Sequence, residues 1–418
     1  MFTAGVAARE RPILSTGPTL ARIASGSSHL IGDPGTRRLP AALRIRENDV
    51  AAEEGLGLVR SRRPAVSGIL RRSALLAPIL WGITGTAAHS QSLPVHLGGR
   101  VIAEQDGAYS FGWPGVYFES RFRGTGVRVR FEAPKEHMRL LIDGKERAVF
   151  RSAGRVDASF DQLAAGEHVV RLEKMTESQQ GGGRFLGFHP LAGSQPLPPR
   201  PRARQIEFIG DSYTVGYGNT SATRDCTSEE VHDTTDTQQA FGPLVARRLD
   251  ADYRVNAYSG FGIVRNYDGG SPGLSLPVLY ERLKPDDAAR LERKGGHWRP
   301  QVIVVNLGTN DFSTPVKAGE RWRDREALAS DYRRRYAEFV RSLHRRQPQA
   351  RFILMGSEEF HDQVAQVAAS LAGELSGRVV TLRFAGLDKA GCHYHPSLAD
   401  NRLLAGLVEA EINRLIAW

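Results

Sequence analysis

The sequence predicts two domains, an all-β sandwich or jelly roll followed by an α/β domain with a parallel sheet. Two patterns carry this prediction. Residues 95–191 contain short, closely spaced apolar runs separated by glycine-bearing turns, whereas from residue 205 onward apolar runs of strand length alternate with amphipathic segments. A chain of 418 residues is also long enough for two domains that each bury a core.

The first domain, placed at residues 91–192, is predicted from strands alone. The run VRVRF at 127–131 alternates apolar and polar residues, as a strand with one buried face does. The run RLLI at 139–142 leads into Asp143 and Gly144, a dipeptide that favours a tight hairpin turn. Further short runs follow at 149–150, 158–160 and 168–172. Short strands without intervening helices are typical of a β-sandwich or jelly roll.

A proline-rich stretch separates the two domains. Residues 193–204 contain four prolines, which predicts a stiff, extended linker. In residues 205–418, strands are predicted at 205–209, 255–258, 302–307, 352–355 and 379–382, and helices at 241–249, 328–343, 362–375 and 403–415. This alternation gives a parallel sheet with helices on both faces, and ligands of such sheets bind beyond the carboxyl ends of the strands.

The positive charge of the chain lies mostly in its first segment. The formal net charge is +10, and residues 1–72 hold 12 Arg and no Lys against 6 Asp and Glu, a net of +6. Residues 73–418 therefore carry only +4. Because the charge is not gathered on a folded face and no basic–aromatic module is present, a nucleic-acid partner is not expected.

Residues 61–90 have the layout of a secretory signal peptide. Arginines precede an apolar run at 73–84, and small residues then end at Ser90. The run is shorter than the roughly 20 residues that span a membrane, and neither cysteine follows it as a lipoprotein anchor requires. A buried helix or a short anchor is the alternative. We expect a secreted or periplasmic protein, cleaved near Ser90 and without a stable membrane anchor, in which residues 1–60 are a disordered extension or a mis-assigned start.

Three polar residues of the α/β domain stand where a serine hydrolase needs them. Ser212 follows the first strand of this domain at a glycine-rich turn, Asn310 follows the strand at 302–307, and His395 lies near the C-terminus. A hydroxyl becomes a nucleophile when an imidazole takes its proton, and an amide can stabilise the oxyanion that forms. Singly, the three residues could be a helix cap, a turn residue and a surface histidine. Their ordered placement after successive strands favours catalysis.

The sequence blocks around these residues resemble the SGNH (GDSL) hydrolase superfamily, which is named for Ser, Gly, Asn and His in that order. Six blocks resemble, more narrowly, carbohydrate esterase family 2: FIGDS at 208–212, GYGN at 216–219, LGTNDFS at 307–313, GCHYHP at 391–396, WPGV at 113–116 and FRGT at 122–125. The resemblance covers about residues 95–418. It implies a β jelly roll ahead of a three-layer, flavodoxin-like SGNH domain.

The resemblance also implies a role for each block. Ser212 would be the nucleophile and His395 its general base. The Ser212 N–H, the Gly260 N–H and the Asn310 side-chain amide would form the oxyanion hole. Gly262 lies two residues after Gly260 and is an alternative source of the second backbone donor.

The usual third member of a catalytic triad is missing from its expected position. Superfamily members commonly carry Asp three residues before the histidine, where this chain has Cys392, and some carry an acid two residues before it, where this chain has His393. The histidine still needs an acceptor on its other ring nitrogen. A backbone carbonyl is the favoured acceptor, which gives a Ser–His dyad, and Asp388, the nearest acid upstream, is the alternative.

Three further residues are candidates for the substrate cleft. Phe312, His393 and Tyr394 flank the catalytic positions, and buried packing is the alternative for the two aromatic rings. No third ligand accompanies the two histidines of the HYH sequence at metal-binding spacing, so neither a metal site nor any cofactor is expected.

The two cysteines of the chain are expected to form a disulfide. Disulfides persist in the compartments that secreted proteins reach, and a Cys226–Cys392 bond would tie the loop after Ser212 to the loop of His395. Two free thiols are the alternative.

The catalytic residues predict a serine esterase, and the resemblance implies that it is a secreted carbohydrate O-acetylesterase. The resemblance implies an acetylated polysaccharide or oligosaccharide substrate of plant type, xylan or glucomannan, and an acyl-enzyme intermediate. Two alternatives stay open at this point. One is an SGNH esterase for lipids, thioesters or small acyl groups, and the other is a carbohydrate-binding protein with a vestigial hydrolase domain.

Overall fold

The computed structural model describes residues 92–179, 181–292 and 297–418; the leader at 1–60 and the signal segment at 61–90 lie outside these residues. In the first part of the described chain, ten strands form two antiparallel sheets. Their bounds are β1 Val95–Gly98, β2 Val101–Ala103, β3 Tyr109–Phe111, β4 Tyr117–Gly124, β5 Val127–Ala133, β6 His137–Ile142, β7 Lys145–Arg151, β8 Gly154–Phe160, β9 Gly166–Lys174 and β10 Gly183–Pro190. One sheet has the order β1-β4-β9-β6-β7 and the other β2-β3-β10-β5-β8.

The two sheets pack face to face through the alternating residues of their strands. In β5, Val127, Val129 and Phe131 are fully buried, while the arginines between them point outward. Between the sheets, the rings of Phe118 and Phe185 stack with their centroids 4.2 Å apart. This architecture confirms the predicted all-β sandwich of jelly-roll type.

The stretch expected to be a free linker is partly strand. Residues Gln195–Leu197 form β11, which pairs antiparallel with the second half of β4. Pro196 is accommodated because β11 lies at the edge of the sheet, where a missing N–H is tolerated. The stretch 193–204 therefore folds onto the sandwich, and only its middle part connects the two domains.

The second domain contains a five-stranded parallel sheet. Its strands are β12 Arg204–Gly210, β13 Ala251–Ala257, β14 Val302–Asn306, β15 Arg351–Ser357 and β16 Val379–Phe384, in the order β13-β12-β14-β15-β16. Its helices are α1 Ser212–Val215, α2 Ser228–Thr234, α3 Phe241–Arg248, α4 Leu276–Leu279, α5 Thr309–Phe312, α6 Arg325–Arg346, α7 His361–Leu371 and α8 Leu398–Leu415. Strand and helix positions confirm the predicted α/β class.

Helices cover both faces of this sheet, which makes three layers. Val302 and Val304 of β14 belong to the core on the side of α3 and α8, while Ile303 and Val305 belong to the core on the side of α6 and α7. All four valine and isoleucine side chains are buried. A strand covered on both faces has to be apolar throughout, which explains the unbroken run in the sequence.

The strand order creates a crevice at one position of the sheet. From β12 the chain moves to β13 on one side and then to β14 on the other, so the direction of winding reverses between β12 and β14. Ligands of doubly wound sheets bind at such a switch point, beyond the carboxyl ends of the strands. Ser212 and Asn310 follow these two strands.

The sandwich and the α/β domain are joined by buried polar contacts. The Tyr117 hydroxyl donates to Asp252 Oδ1 at 2.7 Å, and the Arg171 guanidinium lies 3.6 Å from the centroid of the Tyr117 ring. The Arg171 guanidinium also donates to the Tyr253 hydroxyl at 2.8 Å. These contacts fasten the sandwich to the beginning of β13, where Asp252 and Tyr253 lie. Among the helices of the described ranges, none is long and apolar enough to cross a membrane.

Candidate active site

Ser212 is placed by the tight turn between β12 and α1. Gly210 ends the strand, and a Cβ there would lie 2.0 Å from Thr214 Oγ1, so only glycine fits. Asp211 caps the helix by accepting the Tyr213 N–H at 3.1 Å. Ser212 is 5% exposed, and within the described part of the chain its own N–H has no acceptor. The turn therefore leaves both the hydroxyl and the N–H of Ser212 available to a substrate.

His395 contacts the Ser212 hydroxyl directly. Its Nε2 lies 2.8 Å from Ser212 Oγ, and its Nδ1 lies 2.9 Å from the Cys392 carbonyl oxygen and 3.2 Å from the His393 carbonyl oxygen. Because carbonyl oxygens only accept hydrogen bonds, Nδ1 carries the ring proton and Nε2 has the free lone pair. The imidazole is therefore held in the tautomer that can accept the Ser212 proton, as in a dyad oriented by backbone carbonyls.

Asp388, the alternative orienting acid, is not in this arrangement, and that hypothesis is wrong. Its side chain is largely exposed and accepts a hydrogen bond from Arg224 at 3.2 Å. Its own N–H donates to Asp400 Oδ1 at 2.9 Å. These bonds hold Asp388 on the outer side of the loop, whereas the turn after Cys392 brings backbone carbonyls against the imidazole.

The loop of His395 is fixed to the segment that follows Ser212. Cys226 and Cys392 form a disulfide with a Cα–Cα distance of 5.6 Å. The Cys392 N–H donates to the Gly218 carbonyl at 3.3 Å, and a Cβ at Gly218 would lie 2.4 Å from Cys392 Cβ. Glycine at 218 thus permits the close approach of the two loops. The pairing matches the disulfide expected from the sequence.

Two tyrosine rings shield the imidazole of His395 from water. The Tyr217 ring lies against it with centroids 4.3 Å apart, and the Tyr213 ring meets it edge-on at 5.6 Å. Burial lowers the pKa of His395 to about 4, although the carbonyl bonds at Nδ1 act in the opposite direction. The imidazole is therefore neutral at neutral pH, which is the state a general base requires. The sequence interpretation missed Tyr217, and its position in GYGN was the available signal.

Gly260, rather than Gly262, has the available backbone donor. The Gly262 N–H donates to Asn266 Oδ1 at 3.2 Å, while the Gly260 N–H has no acceptor among the described residues. Gly260 has a φ of 84°, and a Cβ there would meet nothing within 4 Å, so the peptide faces open space. The Tyr258 N–H donates to the Gly210 carbonyl at 3.1 Å, which holds this loop beside the Ser212 turn.

Asn310 lies at the start of α5 with its amide directed between these two loops. Its Nδ2 donates to the Phe261 carbonyl at 3.0 Å and lies 3.4 Å from Asp211 Oδ2. The first bond uses one of the two N–H groups of Nδ2. The other N–H makes the second contact, which at 3.4 Å is long for a hydrogen bond. Three loops from three neighbouring strands thus bring Ser212, Gly260 and Asn310 to one crevice.

A buried acid next to Asn310 organises the loop that carries Gly260. Asp311 accepts the backbone N–H groups of Ile263, Val264 and Arg265 at 2.9–3.0 Å. Burial raises the pKa of Asp311 to about 6 and that of Asp211 to about 7. Neither acid contacts Ser212 Oγ or His395. Asp211 therefore supports the turn. The role of Asp311 was not predicted from the sequence, although its place directly after Asn310 was an available signal.

The three cleft candidates differ in position. Phe312 is buried against the rings of Tyr332 and Phe360, so it is a packing residue and the cleft hypothesis is wrong for it. Its place in a helical turn directed at the core explains this. His393 bridges the Tyr217 hydroxyl at 3.0 Å and the Cys226 carbonyl at 2.8 Å.

Tyr394 is 66% exposed, and its ring lies 5.3 Å from the Arg224 guanidinium. His393 and Tyr394 both have positive φ values, 51° and 61°, which non-glycine residues rarely adopt. This turn keeps Tyr394 outside the protein core, at the rim beside His395. In the described ranges, no three His, Cys, Asp or Glu side chains form a cluster that could hold a metal ion.

Known families match both domains. Residues 97–200 match the family described as carbohydrate esterase 2 N-terminal, and residues 208–401 match the GDSL-like lipase/acylhydrolase family. An acetylxylan esterase/glucomannan deacetylase of Cellvibrio japonicus is 48% identical over 343 residues, which are 80% of this chain and 95% of the relative.

Solved structures of esterases share the fold. One is a carbohydrate esterase whose active site is described as having catalytic and non-catalytic binding functions. It is 47% identical with a TM-score of 0.73, over 78% of this chain and 98% of that one. Another is a family two carbohydrate esterase from Clostridium thermocellum in complex with cellohexaose, 28% identical with a TM-score of 0.67, over 77% and 98%. The chain therefore belongs to carbohydrate esterase family 2 and is a carboxylic-ester hydrolase of the acetylesterase type.

Proposed function

We propose that this protein removes acetyl groups from plant-type polysaccharides, xylan or glucomannan, through an acyl-enzyme formed on Ser212. The observation that carries the proposal is the 2.8 Å contact between Ser212 Oγ and His395 Nε2, in a crevice that also offers the Gly260 N–H and the Asn310 amide. The relative from Cellvibrio japonicus is an acetylxylan esterase/glucomannan deacetylase, which supports the choice of substrate.

The geometry permits a two-step reaction. In the first step, His395 Nε2 takes the Ser212 proton while Oγ attacks the acetyl carbonyl. The imidazolium then gives this proton to the departing sugar oxygen, which leaves an acetyl-serine. In the second step, water attacks this ester with His395 again as base, and acetate and free Ser212 result.

Charge builds on the carbonyl oxygen in both steps. The N–H groups of Ser212 and Gly260 and the amide of Asn310 would donate to this oxyanion, and each donor is worth roughly 3 kcal/mol of transition-state stabilisation. Protonated Nδ1, held by the Cys392 carbonyl, keeps the imidazole oriented while its charge changes.

The experiment is acetate release from acetylated xylan and acetylated glucomannan, beside a series of 4-nitrophenyl esters of increasing acyl length. We expect acetate release that is lost in Ser212→Ala and a rate that falls with acyl length. Faster turnover of long acyl chains would assign the enzyme to lipid or thioester substrates. Serine-independent binding of the polysaccharides without turnover would support the vestigial-hydrolase alternative.

We also propose that the protein is exported to the periplasm or the medium. The layout of residues 61–90 supports export, and so does a disulfide in the catalytic domain. Mass spectrometry of the exported protein is the test: an N-terminus at about Gln91 is expected, and retention of the full chain in the cytoplasm would contradict the proposal.

A further inference from the structure

A carboxylate of the sandwich domain contacts the loop that carries Gly260. Glu177 lies just after β9, and its Oε1 accepts the backbone N–H of Ser259 at 2.7 Å. Ser259 directly precedes Gly260, so this bond joins the sandwich domain to the predicted oxyanion loop of the hydrolase domain. No residue of the sandwich was among the sequence-derived site candidates.

The contact fixes the peptide that directly precedes the one presenting the Gly260 N–H. The Tyr258 N–H is held by the Gly210 carbonyl at 3.1 Å, and the Gly260 carbonyl accepts the Tyr267 N–H at 2.8 Å. Between these two bonds, the Ser259 N–H is held by Glu177 alone. Gly260 has the conformational freedom of glycine and no packing neighbour at its Cβ position. The Ser259 N–H belongs to the Tyr258–Ser259 peptide, whose carbonyl accepts the Phe261 N–H at 3.3 Å. Without Glu177, that bond alone would hold this peptide, and the orientation of the Ser259–Gly260 peptide that follows it would be less well fixed.

Glu177 is itself on a rigid segment. The Met175 carbonyl accepts the Thr237 N–H of the hydrolase domain at 2.8 Å. Buried Lys174 pairs with buried Glu136 at 3.0 Å, and the Thr176 hydroxyl donates to the same carboxylate at 2.6 Å. A group that orients a catalytic donor has to be held in this way by its own surroundings.

Glu177 also shares a pocket with the tyrosine whose ring covers His395. An interdomain pocket of about 300 Å³ is lined by Glu177 and Gln179 from the sandwich and by Tyr217 and His232 from the hydrolase domain. Tyr217 is the residue whose ring covers His395. Burial raises the pKa of Glu177, as expected for a carboxylate withdrawn from water between two domains.

We propose that Glu177 is a positioning residue of the esterase, which orients the Gly260 N–H toward the oxyanion through its bond to the Ser259 N–H. The sandwich domain then completes the active site. This inference rests on the proposed Ser212 chemistry but not on the identity of the polysaccharide. A misplaced catalytic group can lower the rate about 100-fold even when the substrate still binds.

The test measures kcat and KM for Ser212-dependent hydrolysis of 4-nitrophenyl acetate, a substrate without a sugar. Glu177→Ala should lower kcat by about 10- to 100-fold and leave KM within about twofold. Glu177→Asp withdraws the carboxylate and should act similarly. Glu177→Gln keeps an acceptor oxygen at the same reach and should retain kcat within about threefold. Glu146→Ala, at an exposed site on β7, is the matched control.

The outcomes separate positioning from other roles of Glu177. Rescue by Gln, together with a loss of kcat in Asp or Ala, supports positioning. Unchanged kcat on 4-nitrophenyl acetate with a raised KM on acetylated polysaccharide would overturn the proposal and make Glu177 a sugar contact. Equal loss in Gln, Asp and Ala would also overturn it. If the polysaccharide is not a substrate but 4-nitrophenyl acetate is hydrolysed through Ser212, only the proposed substrate fails and the Glu177 test stands.

Discussion

The carbonyl oxygen of Cys392 accepts the Nδ1 hydrogen of His395 at 2.9 Å. The same residue is covalently bonded to Cys226 and donates its N–H to the Gly218 carbonyl, and both of these partners follow Ser212 in the chain. The disulfide therefore holds in place the carbonyl that accepts the Nδ1 hydrogen. In a catalytic triad, a carboxylate is the acceptor at this position. A carbonyl orients the imidazole without adding a negative charge, so its position has to be maintained by the backbone around it.

Removal of the disulfide is expected to lower both stability and kcat. Loss of a native disulfide typically costs about 2–5 kcal/mol, and here it also frees the loop that carries the Cys392 carbonyl. The double variant Cys226→Ser/Cys392→Ser should show a lower midpoint in urea and a kcat reduced about 10-fold or more, with KM little changed.

A reductant supplies the control for this experiment. Dithiothreitol should reduce the activity of the parent protein toward that of the double variant and should not change the variant. Full activity in the double variant would show that the hydrogen bonds of the loop alone hold His395.

Substitution of Asp388 should leave catalysis intact. Its side chain faces solvent and Arg224, and the ring nitrogen of His395 is already occupied by the Cys392 carbonyl. We expect Asp388→Asn to keep kcat/KM for 4-nitrophenyl acetate within about twofold, since exposed ion pairs contribute little. A loss of 100-fold or more would mean that a triad operates in solution.

Much of the fold followed from periodicity, and the exceptions have physical reasons. The apolar run at 302–307 predicts a strand covered on both faces, and β14 is such a strand. The prediction was straightforward because a strand buried on both faces is apolar at every position. The stretch 193–204 was interpreted as a linker from its prolines. Gln195–Leu197 nevertheless pair with β4, since an edge position tolerates a residue without an N–H. The composition of residues 193–204 gives no information about their pairing with a strand about 70 residues earlier in the chain.

Asn310 is expected to act on kcat rather than on KM. Its amide would donate to the oxyanion, which exists only in the transition state and the tetrahedral intermediate. Asn310→Ala should lower kcat for acetyl esters by about 100- to 1,000-fold, the usual effect of losing one such donor. A variant that mainly raised KM would place Asn310 in ground-state binding.

The acid limb of the pH profile is expected to depend on Tyr217. Burial lowers the pKa of His395 to about 4, so kcat/KM should rise with pH through that value as the imidazole becomes neutral. Tyr217→Ala removes the ring that lies 4.3 Å from the imidazole, which should move the limb upward toward the ordinary histidine value of about 6.5. Tyr217→Phe keeps the ring, and its limb should stay near 4. Coincident limbs in all three proteins would show that other residues desolvate His395.

The residues of the candidate site could be predicted from the sequence where they lie in recognisable sequence blocks. Ser212, Asn310 and His395 each sit in a recognisable block, and the strand order brings the first two to one crevice. Glu177 and Tyr217 were missed for a different reason. Their roles depend on contacts with Ser259 and His395, which lie 82 and 178 positions away. Glu177 lies in none of the recognised blocks, and the GYGN block marks Tyr217 without indicating that its ring contacts His395.

The Asp211 carboxyl should make the folded state less stable as the pH rises. Burial raises its pKa to about 7, above the value of about 3.9 that an exposed Asp has, so between these values the folded state holds a proton that the unfolded state has lost. The stabilisation is complete below about pH 4 and is lost as the pH rises through 7. Asn cannot titrate, so the stability of Asp211→Asn relative to that of the parent should increase between pH 4.5 and pH 7.5. Urea unfolding at the two pH values measures this change, which we expect to be on the order of a few kcal/mol in unfolding free energy. Ser212→Ala alters the same turn without removing an acid, and it should keep the pH dependence of the parent. A difference between Asp211→Asn and the parent that is constant with pH would mean that Asp211 is ionised throughout, held by the Tyr213 N–H and the Asn310 amide.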